Sequence, residues 1–174
     1  MAQVPSIPPI IDSNPSDYQD SGIASTVAIA GHPFHPLLVT FPIAFLVGAA
    51  GTDFGYWLTQ DPFWARASLW LLGVGFASGL LAALTGIMDF LKIDRVRKRS
   101  AGWIHLVGNI TALALTLLNW LLRVNHPAEA VLPIGIILSV LVATLLGVTG
   151  WYGAELAYRH KVGVIGSSSR SESG

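Results

Sequence analysis

Four long apolar runs constrain this chain more than any other feature. They read as residues 36–58, 64–91, 101–123 and 130–157. Each is long enough to cross a hydrocarbon layer of about 30 Å, which takes roughly 20 residues of helix. In lipid the backbone must satisfy its own hydrogen bonds, so such runs fold as helices. Charged residues make up only 11% of the 174, where soluble domains carry about a quarter. That is too little charge for a wetted surface. The connections TQDPF, DRVRKRS and VNHPAEA are short, and short connections make consecutive helices antiparallel neighbours. The expected fold is all-α: an integral membrane, up-down-up-down four-helix bundle.

The flanks refine this picture. Residues 1–30 hold four prolines, three Asp and no basic residue, a composition that reads as a disordered tail. Residues 31–165 form the transmembrane domain, and 166–174 read as a flexible tail. The first basic residue is Arg66, so no positive n-region precedes an apolar stretch and no cleavable signal is expected. With no cysteine, disulfides, thiolate metal sites and cysteine nucleophiles are excluded. Most Lys and Arg fall at the end of the bundle that carries both termini and the DRVRKRS loop. Only Arg66 and Arg123 fall at the other end. The positive-inside rule then puts both termini in the cytoplasm. The basic loop reads as a topology determinant touching anionic lipid, not as a nucleic-acid surface.

Helix 1 is expected to start at Pro36, a favoured first helical position, with Pro42 bending it or loosening its start. Gly51 and Gly55, and Gly75 and Gly79, have the small-xxx-small spacing that lets membrane helices approach closely. His32 and His35 each precede a proline, which disfavours helical backbone. His35 is therefore expected at the N-cap, extended, and it alone of the two is expected to turn inward.

The antiparallel arrangement brings polar residues from all four helices to one depth: His32 and His35, Asp89, His105, and Glu155 with His160. Ionisable groups inside spans usually face the bundle interior and mark function. Imidazole with carboxylate suits a divalent metal ion, and bundles build such sites from facing helices. The expected ligands are His35, His105, Asp89 and Glu155, with His32 and His160 as auxiliaries. Asn109, four residues beyond His105 and so on its face, is expected to support them. The spacing matches no named metal motif. A b-type haem held between His35 and His105 is the rival, and the less favoured one. At the opposite end, Asp53 and Arg66 are expected to form a structural ion pair across the first hairpin. No nucleophile elbow, Walker loop or dinucleotide fingerprint is present, and no catalytic residue is assigned.

The stretches GHPFHPLLVTFPIAFLVGAAGTDFGYWL, GLLAALTGIMDFLKI, GWIHLVGNITALAL and LLGVTGWYGAELAYRHKVGV occur in this order. Together they resemble the bacterial membrane-protein family named domain of unknown function 2231, over about residues 31–165. The resemblance implies a four-helix domain in a bacterial inner membrane. It matches the family pattern at His32, His35, Asp53, Asp89, His105, Asn109, Glu155 and His160. Some family members are joined to Rieske-type iron–sulfur domains, which hints at redox chemistry. Lys161 stands where the family usually has glycine, which sets His160 apart among the ligands. The expected partners are the lipid bilayer and a redox or membrane-protein partner, with self-association left open. The rival reading from another class is a non-catalytic scaffold whose polar band only locks helix ends together.

Overall fold

The computed structural model describes residues 22–164. Four helical segments are long and apolar enough to cross a membrane: Phe34–Thr59, Pro62–Lys92, Ser100–Arg123 and Val131–Arg159. They match the four expected runs to within a few residues. The chain opens with a two-strand hairpin, β1 (Ala28–Ile29) against β2 (His32–Pro33). Ala30 and Gly31 turn it with φ of 49° and 80°, the left-handed pair that tight hairpins require.

The first span is broken, into α1 (Phe34–Leu38) and α2 (Thr40–Thr59). The break falls at Val39, three residues before Pro42, whose ring would clash with the Leu38 carbonyl in a regular helix. The helix also begins earlier than Pro36. Pro33 is its N-cap and Phe34 its first residue, because the Phe34 amide donates to the Val27 carbonyl at 2.9 Å. His35 is therefore inside the first turn and not an extended cap. Pro36 is tolerated there because first-turn amides have no partner within the helix.

The second span is α3 (Pro62–Lys92), opened by Asp61, whose side chain accepts from the Phe63 amide at 2.8 Å. A short turn of helix, α4 (Asp94–Arg97), carries the basic loop. The third span is α5 (Ser100–Arg123). The fourth is α6 (Ile136–Ala154), followed by a wider π-type turn at Glu155–Arg159 and preceded by Val131–Gly135, a kinked entry in which Leu132 is extended with φ −111° and ψ 137°. Each of α2 and α5 packs against both α3 and α6, giving a four-cornered bundle. Leu46, Ala49, Leu72, Ala112 and Val142 meet at its middle. Phe90, Ile93, Val96, Ala101 and Leu156 close the charged end. Large apolar side chains such as Leu58, Trp70, Ile137 and Trp151 point outward, where lipid covers them.

Glycines set how closely the helices pack. A Cβ on Gly75 would lie 2.6 Å from Leu46, and one on Gly79 2.6 Å from Leu113. Gly55 is covered by Trp64, whereas Gly51 faces open space, so only three of the four expected small-residue positions are interfaces.

One flank departs from its expected reading. Residues 22–30, read from composition as disordered, are tied down: the Ile23 amide donates to the Lys161 carbonyl at 3.0 Å, and Gly163 donates back to Ile23 at 2.7 Å. The backbone partner is what composition does not reveal. The rest of the expected N-terminal tail, and the 166–174 tail, lie outside the described residues.

The first and third spans correspond position by position. His35, Pro42, Leu46, Ala49 and Asp53 have counterparts seventy residues on in His105, Ala112, Thr116, Asn119 and Arg123. All but the two histidines are buried, and the histidines are half-buried. The bundle is thus two similar hairpins side by side, running in the same sense.

Candidate functional site

The two histidines of this repeat meet. The ring centres of His35 and His105 are 6.0 Å apart, with their planes at 84°. Each is held the same way. The Nδ1–H of His35 donates to the Ala82 carbonyl on α3 at 2.9 Å, and that of His105 to the Thr149 carbonyl on α6 at 2.8 Å. A carbonyl can only accept, so each neutral ring carries its proton on Nδ1 and leaves Nε2 as a lone pair. Each ring also lies over a glycine four residues beyond the carbonyl it uses. A Cβ on Gly86 would come within 2.7 Å of His35 Cε1, and one on Gly153 within 2.9 Å of His105 Cε1. The seats are therefore cut for imidazoles.

Among the described residues no hydrogen bond engages Nε2 of His35 or of His105. Both rings line a cavity of about 400 Å³ between the four spans. Its walls are apolar or small: Pro42 and Leu46 on α2, Gly79 and Ala83 on α3, Gly150 and Ala154 toward the end of α6. Asn109 steadies the His105 side. Its Nδ2 donates to the His105 carbonyl at 2.6 Å, and its Oδ1 accepts from Thr149 Oγ1 at 3.3 Å.

The remaining expected ligands do not converge on this point. Among the described residues no group of three or more His, Asp or Glu side chains is placed to hold a metal ion. The described residues therefore give the carboxylate-and-imidazole centre no support, and each of the other expected ligands has a partner elsewhere. Asp89 accepts three hydrogen bonds, from Ser25 Oγ, the Thr26 amide and Thr26 Oγ1, each at 2.7 Å. Glu155 faces His160, with Oε1 to Nε2 at 3.8 Å. His32 is exposed and donates through Nδ1 to the Ala30 carbonyl at 3.0 Å. Equal depth along the bundle axis is not convergence around it. Of the two histidines in GHPFHP, only His35 turns inward.

At the other end of the bundle, the Asp53 carboxylate is taken by Arg123 and not by Arg66, which is exposed. Arg123 Nη1 and Nη2 reach the two Asp53 oxygens at 2.6 and 2.7 Å. Nη1 also donates to Ser68 Oγ at 2.9 Å, Nη2 to Ser139 Oγ at 3.3 Å, and Nε to Asn119 Oδ1 at 2.8 Å. Asp53, Ser68, Asn119, Arg123 and Ser139 have no exposed surface. All five guanidinium donors are satisfied, and the partners come from all four spans. Such a closed set has no free group to offer a ligand. It is a clip.

The sequence does carry a signal for this clip. His35 to Asp53 and His105 to Arg123 are both intervals of eighteen residues, about five turns at 3.6 residues each. Equal whole-turn intervals place both pairs on inward faces, roughly 27 Å apart along the axis at about 1.5 Å per residue.

No curated protein and no solved structure matched the sequence. The family described as "Predicted membrane protein (DUF2231)" matches residues 31–166, which takes in all four spans, both histidines and the ion-pair clip. The chain is a member of that family.

Proposed function

We propose that this protein binds one b-type haem between His35 and His105 and carries electrons within the membrane. The observation behind this reading is the paired imidazoles, each with Nδ1 fixed on a carbonyl and Nε2 open to one cavity. Two imidazoles that shared one metal, at about 2 Å from each, would have ring centres roughly 6 Å apart. The observed separation is 6.0 Å. A hydrogen bond to the far nitrogen is the usual support of a ligating histidine. Two protein ligands are too few for a bare zinc site, whereas a tetrapyrrole supplies four nitrogens of its own. A lone soft ion would suit two imidazoles but would leave the 400 Å³ cavity unfilled.

When bound, haem supplies a one-electron couple. His35 and His105 would hold the group through Nε2, and Gly79, Ala83, Gly150 and Ala154 would present small side chains to a flat ligand. The basic end of the bundle fits a cytoplasmic orientation of both termini in a bacterial inner membrane. A redox partner docking at that end, or a second copy of the chain, is consistent with a site near the membrane surface.

Titrating haem into the detergent-purified protein tests this reading. A stoichiometric Soret band with sharp low-spin visible bands is expected, weakened or lost in His35→Ala and in His105→Ala. Absence of a band after reconstitution, or a band indifferent to both substitutions, contradicts it. Elemental analysis of the same sample distinguishes a bare copper or zinc ion from haem iron.

A further inference from the structure

The cavity has a cover of its own. Ser25 and Pro33 from the N-terminal segment, with Val162 and Gly163 from the end of the fourth span, form the part of its wall nearest the charged end. Among the described residues few polar contacts hold residues 22–33 there. Three are the hydrogen bonds from Ser25 and Thr26 to Asp89. The others are the backbone pair joining Ile23 to Lys161 and Gly163, and the Phe34 amide on the Val27 carbonyl. Apolar anchorage is slight: Ile23 packs against the Phe90 and Val96 cluster, but residues 28–32 are all exposed. The family match begins at residue 31, so the residues that grip Asp89 precede the matched region.

We propose that residues 22–33 are a lid latched by Asp89, and that apolar ligands reach the His35/His105 cavity from the charged end when the latch opens. This inference takes its ligand from the haem reading, but the lid is a separate claim. Asp89 suits a latch because it sits in the last turn of α3, where its oxygens collect three donors from a segment that otherwise lies on the bundle with little burial. Segments with few buried contacts are the ones that open locally at low free energy. A hydrogen bond to a charged group contributes more than one between neutral groups. Loss of the carboxylate should therefore raise the open population severalfold, without touching the bundle core or the Asp53–Arg123 clip.

The absence of cysteine makes the test clean. Ala83→Cys places a single thiol on the cavity wall, beside the residue whose carbonyl holds His35. The quantity measured is the rate of its modification by a charged methanethiosulfonate, in the full chain without haem. Asp89→Asn and, separately, Ser25→Ala with Thr26→Ala are expected to raise that rate roughly tenfold, at unchanged helical content. The second pair keeps the measurement valid should Asp89→Asn fail to fold. Equal rates with the latch intact and broken, in a folded latch variant, overturn the lid. Faster labelling in a protein that binds no haem leaves the lid standing and removes the haem reading. Haem binding with unchanged labelling removes the lid alone.

Discussion

At the residue scale, the two polar clusters do different work because one is closed and the other open. Arg123 has every donor engaged, so its burial is a matter of stability. Removing one member of a buried ion pair leaves an uncompensated charge, at about 3–5 kcal/mol. Arg123→Ala or Asp53→Ala should lower unfolding stability in detergent by that order. Arg66→Ala, on an exposed side chain, should change it by no more than about 0.5 kcal/mol. The imidazoles instead keep Nε2 open, and Gly86 and Gly153 leave room for them. Gly86→Ala or Gly153→Ala should push a ring off its seat and weaken haem binding roughly tenfold or more, read by haem titration, while the helices persist in circular dichroism. Both histidines were legible in the sequence as residues that turn inward. Arg123 was legible only through its eighteen-residue interval from His105, because taken locally an arginine at the end of an apolar run looks like any residue reaching for the interface. Local sequence says how deep a residue sits but not which way the helix is rotated. Asp89 and Glu155 misled for the same reason: their partners, Ser25, Thr26 and His160, lie at the same depth as the histidines.

At the element scale, the junction of α1 and α2 is where the first span departs from a regular helix. Pro42 has no amide to offer the Leu38 carbonyl, yet Val39 keeps helical φ and ψ of −65° and −21° and is bonded to His35 and Ile43, so the helix runs on through the junction. The sequence foretold this local disturbance. Pro42→Ala should restore the missing bond and leave His35 beside His105, with haem binding unchanged and helical content equal or higher. Haem titration alongside circular dichroism checks both halves of that statement. The order of residues 22–30 was missed because composition measures how much a segment can bury, and this one is held by backbone pairing and an acidic cap instead.

At the scale of the whole molecule, four spans bring both ends of the described chain together, as the pairing of Ile23 with Val162 shows directly. Single cysteines at Lys98 and at Val164 should therefore label from one side of the membrane, and one at Glu129 from the other. Impermeant thiol reagents on intact and inverted vesicles report this. The four-helix topology was fully legible, because run length and connection length decide it. The relation between the hairpins was less visible, since apolar positions drift freely between the halves and only the spaced polar residues keep register. That register gives the protein one imidazole from each half at one end and one partner of an ion pair from each half at the other. The central claim is that both histidines ligate a single iron, with their planes crossed at 84°. Low-temperature electron paramagnetic resonance of the ferric, haem-reconstituted protein tests it most directly. The account predicts a low-spin signal of the strongly anisotropic kind that crossed axial imidazoles produce, converted to high spin in His105→Ala. A high-spin signal in the unaltered protein, or a low-spin one that survives in both His35→Ala and His105→Ala, would contradict it.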